Sequence, residues 1–491
     1  MTSALFTDFY SLTMAQGYWK RNLKSRTDNL PISRAVFEMF FRHQPFNSGY
    51  SVFAGLGTLL ERLVCLSFSD DDIAYLKSCE IFEDGFLEYL KTFRFNGNVW
   101  AMKEGTVIFP QEPVIRIEGT LIECQLIESM LLNVINFQSL IATKTCRIWL
   151  ASKKGSVMEF GLRRAQGPDG ALSASRAAFI GGAVGTSNTL AAKIYDIPVM
   201  GTMAHSWVMS FDSEEEAFEN YAALYPDRAI FLIDTYDTLK SGIQNAVKVG
   251  KRLKQQGKNF GVRLDSGDIQ YLSAEVRKQL DNAGLNNAFI TVSNDLDEHI
   301  IETLVKENAP VDSWGVGTRM VTGGQKSDSV CAAFPGVYKM SARLEPDGKT
   351  SVPVMKVSDN HEKTTNPGIK QVWRIKDKSG HAVADVIGIE GIDEPKTGEK
   401  YCFWHPSADY RHITHTIEGS AEPLLTKLVD EGKLTALLPS LGEIKAQKEE
   451  SLESFDSTYK RLLNPHIYKV SITDALRALK LELIQKHLGS K

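Results

Sequence analysis

The sequence contains few cysteines, and their spacing argues against the usual structural uses of this residue. The 491-residue chain has six, at positions 65, 79, 124, 146, 331 and 402, and none form a CxxC pair. We therefore expect neither a structural zinc site nor a disulfide scaffold, which is uncommon in a chain of this length. Reduced thiols and a cytoplasmic location are the expectation.

The sequence also lacks a strong charge of one sign and a long apolar run. The formal net charge is −4, so nothing indicates non-specific nucleic-acid binding, and anionic ligands must be held by local charges. The longest uncharged stretch, residues 177–192, is too short and too rich in Gly, Ser and Thr to span a membrane. Residues 1–14 carry no basic-plus-apolar signal pattern. We expect no membrane partner.

What the sequence does contain is a recurring pattern between residues 157 and 318. Short apolar runs each end in a small polar cluster, at a spacing of roughly 25 to 40 residues, about the length of one βα unit. The runs are 157–160, 197–200, 230–233, 260–264, 289–292 and 314–316. Such units collect polar residues at the carboxyl ends of parallel strands, where barrel enzymes have their active sites. The pattern predicts an α/β barrel.

Three parts of the chain follow from the distribution of strand-like and helical patterns. Residues 1–118 combine helical segments with strands at 35–41 and 98–118, and are predicted to form an N-terminal α/β part. Residues 119–334 begin with a helix at 123–150 and contain the barrel. Residues 335–491 contain further predicted strands and then charged segments that look helical. These strands are predicted at 337–340, 352–357, 371–374 and 383–389, and the helical segments at 419–450 and 471–488.

Charged clusters follow two of the apolar runs. Arg163 and Arg164 suit a carboxylate or a phosphate, because each guanidinium can form two parallel hydrogen bonds; a surface arginine beside a structural salt bridge is the competing interpretation. Strand alternation places Arg263 and Asp265 on one face. Together with Asp268 they can hold a Mg²⁺-bound polyphosphate or ribose hydroxyls. The alternatives are a helix cap for Asp268 and a salt bridge for Asp265.

Glycine-rich and hydroxyl-rich clusters stand after other runs. The segment 178–188 suits either a phosphate cradle at a helix N-terminus or close helix packing, and the pattern does not decide between them. Gly315, Gly317 and Thr318 suit a phosphate contact or a tight turn. His205 comes directly after the run 197–200, a position that favours function over a structural role.

These clusters, in this order, resemble the nicotinate phosphoribosyltransferase family. The resemblance covers nearly the whole chain; its individual motifs are modest, and their joint order is specific. The motifs lie at residues 7–19, 37–42, 159–166, 185–188, 201–206, 263–268, 315–322, 336–339, 363–368 and 438–441.

The resemblance implies a fold and a reaction. The implied fold is an irregular or incomplete (β/α) barrel joined to an α/β sandwich built from both chain ends, with a helical C-terminal region. The implied reaction converts nicotinate and 5-phosphoribosyl 1-pyrophosphate into nicotinate mononucleotide and pyrophosphate, with coupled hydrolysis of ATP, in NAD biosynthesis by salvage. The resemblance also implies a homodimer. Mg²⁺ is expected as cofactor from the carboxylates of the site, which can order a metal–pyrophosphate complex directly or through water.

The resemblance also implies roles for individual residues. His205 would carry phosphate as a phosphohistidine, and Tyr10, Thr202 and Arg263 would contact nicotinate, with Arg163 as a competing candidate for its carboxylate. By the same resemblance, Thr318 would bind the phosphoribosyl donor. We add further candidates for this contact from their positions at neighbouring strand ends: Ser293, Asn294, Gly315, Gly317 and Asp265. Asp265 and Asp268 are the candidate metal ligands.

Three other functions remain open at this point. Nicotinamide phosphoribosyltransferase is the nearest alternative. A barrel glycosidase would need paired carboxylates, for which Asp234 or Asp265 can be proposed, but it would not explain the arginines and Gly-Thr clusters. A non-catalytic metabolite-binding barrel would not need His205.

Overall fold

The chain folds into two compact units. The structure is a computed structural model that describes residues 3–27, 33–324, 333–345, 350–358, 363–408 and 410–488. The first unit comprises Met1–Leu140 and Ala333–Lys491, and the second comprises Ile141–Ala332. Both ends of the chain therefore contribute to one unit, and the middle of the chain forms the other.

The described residues form the following strands and helices. The strands are β1 (Arg34–Phe41), β2 (Ser51–Val52), β3 (Asn98–Ala101), β4 (Val107–Ile108), β5 (Ile115–Thr120), β6 (Ser156–Glu159), β7 (Gly185–Thr186), β8 (Ile230–Leu232), β9 (Gly261–Leu264), β10 (Phe289–Asn294), β11 (Ser313–Val316), β12 (Gly336–Leu344), β13 (Ser351–Pro353), β14 (Lys370–Lys376), β15 (Ala382–Ile389), β16 (Lys400–Trp404), β17 (His412–Thr416), β18 (Ser420–Pro423), β19 (Thr426–Asp430), β20 (Lys433–Leu434) and β21 (Val470–Ile472). The helices are α1 (Phe9–Thr27), α2 (Leu56–Val64), α3 (Asp70–Ser78), α4 (Asp84–Lys91), α5 (Leu121–Leu126), α6 (Glu128–Ala151), α7 (Gly167–Gly181), α8 (Thr189–Tyr195), α9 (His205–Met209), α10 (Glu214–Leu224), α11 (Ile243–Gln255), α12 (Ile269–Asn282), α13 (Glu298–Lys306), α14 (Thr318–Thr322), α15 (Leu441–Glu453) and α16 (Asp474–Leu488).

The larger sheet of the first unit joins the two chain ends. Its strand order is β13-β12-β1-β5-β3-β19-β20, and its neighbouring strands are antiparallel. Strand β1, which lies between β12 and β5, carries the buried side chains Phe37, Met39 and Phe41. Helix α5 packs on β1, β5 and α1. This packing places residues beyond 118, the end of the predicted N-terminal part, in the first unit.

The second sheet of the first unit has the order β17-β16-β21-β15-β14-β18, and β14 and β15 contribute Arg374 and Asp385 to a buried cluster of ionisable groups. The guanidinium of Arg374 donates to the carboxylate of Asp385 at 3.0 and 2.6 Å, and the Tyr468 hydroxyl donates to Asp385 at 2.9 Å. The backbone N–H of Phe109 donates to Glu112 at 3.0 Å. Burial raises the pKa of Glu112 well above its ordinary value, and the nearby charge of Asp385 raises it further.

The structure corrects the helical expectation for residues 419–450. Residues 420–434 contain β18, β19 and β20, and the helix α15 begins only at residue 441. Strand β18 pairs with β14, and β19 pairs with β3, more than 300 residues earlier in the chain. Strands β16 and β17 were also not predicted. For β19, a pairing partner so distant leaves no signal in the local sequence, which explains that error.

The second unit contains a curled half-barrel of six parallel strands in the order β7-β6-β11-β10-β9-β8. Five of the six apolar runs form these strands as predicted: β6, β8, β9, β10 and β11. The expectation of a strand at 197–200 is wrong, because only an isolated bridge joins Val199 to Thr186 of the edge strand β7. Pro198 has no N–H to extend the ladder.

Glycines in the segment 178–188 mainly serve packing. A Cβ on Gly181 would lie 2.6 Å from the carbonyl oxygen of Ala142, and Gly182 has a φ of +129° against the ring of Trp149. These contacts favour the packing interpretation over a phosphate cradle for this pair. Over the described ranges of the chain, no helix is both long and apolar enough to cross a membrane.

Candidate active site

The side chains of the candidate site share the inner face of the half-barrel. Successive residues of a strand point to opposite faces, so every second residue lies on the same side. Leu232 of β8, Arg263 of β9, Ser293 of β10 and Gly315 of β11 occupy this face, with Phe160 directly after β6. These residues line two adjoining cavities near the carboxyl ends of the strands.

The two cavities differ in character and share one wall. The first encloses about 350 Å³, the second about 200 Å³. The predicted residues in the first are Thr202, His205, Arg163, Arg263 and Asp265. The predicted residues in the second are Ser293, Asn294, Gly315, Gly317, Thr318, Arg163, Arg263 and Asp265. The structure thus groups ten of the predicted site residues around one space, with Phe160, Arg163, Arg263 and Asp265 on the shared wall.

Arg263 is held by hydrogen bonds on three sides. Its Nε donates to Ser293 Oγ at 2.9 Å, and its terminal nitrogens donate to Thr202 Oγ1 at 2.5 Å, the Met203 carbonyl at 3.2 Å and Asp265 Oδ1 at 3.1 Å. Only 15% of its side chain is exposed. The guanidinium is therefore a preorganised cation between the two cavities. The salt bridge expected as the alternative for Asp265 is present as well.

Asp265 and His205 lie side by side on the wall of the first cavity. Burial raises the pKa of Asp265, but the hydrogen bond from Ser293 and the charge of Arg263 outweigh it, so the net pKa is lowered. Nε2 of His205 lies 3.8 Å from Asp265 Oδ2, and Nδ1 lies 3.1 Å from Thr235 Oγ1. The imidazole is 41% exposed. Thr235 therefore orients the imidazole through Nδ1, and the exposed part of the ring is accessible from the cavity.

Arg163 differs from Arg263 in having an unengaged guanidinium. It lies in the 3₁₀ turn Leu162–Arg164 after β6, is exposed, and lines both cavities. Among the residues that the structure describes, none accepts a hydrogen bond from its side chain or forms an ion pair with it. Arg164 lines the second cavity only.

The glycines of the second cavity accommodate an aromatic ring. A Cβ on Gly315 would lie 2.6 Å from the ring of Phe160, so this glycine allows the ring to lie against the sheet. Asn294, at the end of β10, has a φ of +131°, a conformation that favours glycine. Thr318 begins the short helix α14. The cavity is therefore lined by backbone, hydroxyls and arginines, groups that suit phosphate oxygens.

The two candidate metal ligands have different surroundings. Asp268 is the N-cap of α12, with its carboxylate accepting from the N–H of Tyr271 at 3.0 Å; it lies outside the described lining of both cavities. Asp265 lies on the shared wall, and its N–H donates to Asp234 Oδ2 at 3.1 Å. The buried Oδ1 of Asp234 has no hydrogen-bond partner among the described residues. No group of three or more described His, Cys, Asp or Glu side chains is arranged to hold a metal ion.

Tyr10 belongs to the first unit. It lies in α1, and about half of its side chain is exposed. Burial raises the pKa of Tyr10, and the neighbouring carboxylate of Glu128 raises it further. Its predicted contact with nicotinate stays a prediction.

Sequence reasoning missed several residues of the first cavity. Phe160, Leu162, Ser187 and Met203 line it, and Thr235 contacts His205. For Phe160 a usable signal existed, because it is two residues beyond Met158 and continues the inward alternation of β6. Ser187 and Thr235 lie in loops, where periodicity carries no information about orientation.

Comparison with known proteins identifies the family. Models described as the nicotinate phosphoribosyltransferase N-terminal domain, the nicotinate phosphoribosyltransferase family and its C-terminal domain match residues 5–136, 156–385 and 369–480. Nicotinate phosphoribosyltransferase of Bacillus subtilis is 39% identical over 98% of this chain and 95% of its own. The chain belongs to the nicotinate phosphoribosyltransferase family.

Other members of the nicotinate phosphoribosyltransferase family give the same result. The Caenorhabditis elegans protein of that name is 35% identical over 97% of this chain and 92% of its own. The crystal structure of human nicotinic acid phosphoribosyltransferase superposes with a TM-score of 0.83 at 29% identity, covering 97% of this chain and 99% of that one. The resemblance and the fold class inferred from the sequence are thereby confirmed. The roles of individual residues stay predictions.

Proposed function

We propose that this chain is a nicotinate phosphoribosyltransferase of NAD salvage. It would transfer the phosphoribosyl group of 5-phosphoribosyl 1-pyrophosphate to nicotinate. The observation that carries the proposal is the pair of adjoining cavities that share Arg263. One cavity has an aromatic ring and a fixed cation, which suit an aromatic carboxylate. The other has glycines, hydroxyls and arginines, which suit phosphates.

The chemistry of the transfer requires positioning more than proton transfer. The ring nitrogen of nicotinate already carries a lone pair, so no general base is needed. The C1 carbon of the sugar becomes oxocarbenium-like as pyrophosphate leaves, and negative charge develops on the leaving group. Arginines at the shared wall would stabilise that charge, and Asp265 would stabilise the positive sugar or bind its hydroxyls.

ATP coupling through His205 is part of the proposal. An imidazole nitrogen can accept a phosphoryl group when a neighbour holds the ring in one orientation and the other nitrogen is free. Thr235 contacts Nδ1 of His205, and Nε2 forms no hydrogen bond with a described residue, with Asp265 Oδ2 3.8 Å away and the ring partly exposed to the cavity. The phosphorylated residue would then couple hydrolysis of ATP to formation of the nucleotide.

Mg²⁺ would bind with the pyrophosphate of the donor. This ion usually keeps several waters and takes only one or two carboxylates along with substrate phosphates. Asp265, at the cavity wall, and Asp234, with its unpartnered buried oxygen, fit such partial coordination. When bound, the ion would neutralise charge on the leaving pyrophosphate. Asp268 fits less well, since its carboxylate already caps a helix.

A direct assay tests the proposal. Purified protein is incubated with 5-phosphoribosyl 1-pyrophosphate and either nicotinate or nicotinamide, with and without ATP, and the nucleotide products are separated and quantified. We expect nicotinate mononucleotide, more of it with ATP, and little amide product. Predominant conversion of nicotinamide would support the alternative function, and no nucleotide from either base would contradict both.

The homodimeric state and the cytoplasmic location also stay predictions. Light scattering of the purified protein measures the first; a mass near one chain of 54.6 kDa would contradict it. Fractionation of the source cells measures the second.

A further inference from the structure

Glu159 is a fully buried carboxylate beside the candidate site. It is the last residue of β6 and has no exposed surface. Strand alternation directs it away from the face on which Phe160 lies, so it does not line either cavity. Its direct neighbour Phe160 nevertheless lies on the wall that the two cavities share.

The partners of Glu159 are neutral hydrogen-bond donors. One carboxylate oxygen accepts from the N–H of Gly161, and the other accepts from Ser175 Oγ at 2.9 Å and from Thr186 Oγ1. No lysine, arginine or histidine in the described part of the chain forms an ion pair with it. Burying a carboxylate without a cation is costly. Stability alone therefore does not account for a carboxylate at this position.

The hydrogen bonds join two loops of the first cavity. Gly161 lies between Phe160 and the turn that carries Arg163. Thr186 directly precedes Ser187, and its hydroxyl oxygen also accepts from the N–H of Asn188 at 2.9 Å. The Asn188 amide donates to Ser175 Oγ at 3.2 Å, which closes the network. Among the described residues of this network, only Glu159 has a side chain that forms hydrogen bonds with both loops.

We propose that Glu159 is a positioning residue for the nicotinate cavity. Its carboxylate anchors the 160–164 loop and the 186–188 loop in the geometry that binds the base, so that Phe160, Arg163 and Ser187 are ordered before the ligand arrives. Glu159 acts through these residues and does not itself touch substrate. This inference rests on the proposed function.

The network predicts a specific pattern among variants. Glu159→Gln keeps the shape of the side chain, but its single carbonyl oxygen cannot accept both from the Gly161 N–H and from the Ser175 and Thr186 hydroxyls, which lie at opposite ends of the carboxylate. The amide NH2 then faces one set of donors, so the substitution loosens the connection between the two loops. Thr186→Val releases only the loop that carries Ser187, which lines the first cavity and not the second. Glu159→Gln should therefore raise the KM of nicotinate and of 5-phosphoribosyl 1-pyrophosphate. Thr186→Val should raise mainly the KM of nicotinate.

The expected effect is large enough to measure. A displacement of about 1 Å in a binding group can cost up to about 10²-fold, so we expect the KM of nicotinate to rise about tenfold or more in Glu159→Gln. The matched control is Glu214→Gln. Glu214 is a buried carboxylate of the same unit that accepts from Asn245 of α11 at 3.1 Å and contacts neither loop. The Glu214→Gln variant should have a lower melting temperature and unchanged KM values for both substrates.

The experiment compares KM, kcat and melting temperature for the wild type and the three variants, with nicotinate binding measured by calorimetry. Raised KM in folded Glu159→Gln or Thr186→Val, but not in Glu214→Gln, supports the inference. Unchanged KM and calorimetric affinity in both network variants, with only a lower melting temperature, overturn it and leave the proposed function intact. If Glu159→Gln does not fold, Thr186→Val decides. A wild type that forms no nicotinate mononucleotide overturns the proposed function, and this inference with it.

Discussion

The guanidinium of Arg263 should determine the preference for a carboxylate over an amide. The perturbation is Arg263→Ala, which removes a cation that is 15% exposed and fixed by Thr202, Ser293 and Asp265. Truncating one partner of a buried, hydrogen-bonded charge pair costs about 2–5 kcal/mol. Because the cavity is open to solvent, we expect the lower part of this range, about 2–3 kcal/mol, or about 30- to 160-fold in nicotinate affinity.

The amide substrate provides an internal reference. Nicotinamide is neutral, so loss of its hydrogen bond to Arg263 should cost only about 0.5–1.5 kcal/mol. The midpoints of the two costs differ by about 1.5 kcal/mol, so the ratio of kcat/KM for nicotinate to kcat/KM for nicotinamide should fall by about tenfold in Arg263→Ala. The assay is steady-state turnover with each base at saturating 5-phosphoribosyl 1-pyrophosphate, whose own KM should change less.

Arg163→Ala is the matched control, since Arg163 lines the same cavity with an exposed and unengaged guanidinium. We expect it to lower the nicotinate-to-nicotinamide ratio less than Arg263→Ala. Retention of nicotinate affinity in Arg263→Ala together with its collapse in Arg163→Ala would show that the carboxylate contact belongs to Arg163. The reaction class would be unaffected by that result.

Three further predictions concern catalysis and stability. His205→Ala should abolish acid-labile phosphoenzyme formed from radiolabelled ATP and the stimulation by ATP, while some ATP-independent transfer remains; unchanged stimulation would refute the role of His205. Chelation should stop turnover reversibly, and Asp265→Asn should raise the Mg²⁺ concentration required, whereas Asp268→Asn, which keeps a good N-cap, should not; full activity after thorough chelation would reject the requirement. The raised pKa of Glu112 means that the folded state keeps a proton that the unfolded state loses above the ordinary value of 4.5. This contribution to stability is present below that pH and is lost as pH rises, by up to about 1.4 kcal/mol per pH unit until the folded-state pKa is reached. Glu112→Gln should remove this loss. The free energy of unfolding, measured with denaturant at pH values from 4.5 to 7.5, should therefore fall more steeply with pH in the wild type than in the variant. An equal pH dependence in the two proteins would contradict the assignment.

Local patterns in the sequence were sufficient for the parallel strands and for much of the site. Each strand of the half-barrel except β7 lies in a short, mainly apolar run, because helices such as α7 and α12 pack on these parallel strands. Alternation also placed Arg263 and Asp265 on one face, and the structure has them hydrogen bonded. Polar residues at strand ends meet because parallel strands end at the same edge of the sheet.

Pairing between distant segments was decided only by the tertiary structure. The strands at 420–434 carry charged, helix-like sequence, and they are strands because β14 and β3 present open edges to them. The same holds for residues 197–200, which form only an isolated bridge with the edge strand β7. Edge pairing depends on backbone groups that every residue except proline carries, so side-chain patterns do not reveal it.

The state of each charged group likewise depended on the fold. The sequence by itself determined which arginines and carboxylates follow the strands, and therefore the class of ligand that the site can hold. Only the tertiary structure decided that Arg263 is fixed while Arg163 is unengaged, that Asp268 caps a helix, and that Glu159 joins two loops. Hydrogen bonds and burial arise between side chains brought close by packing, often from segments far apart in the chain, and local sequence does not encode those distances.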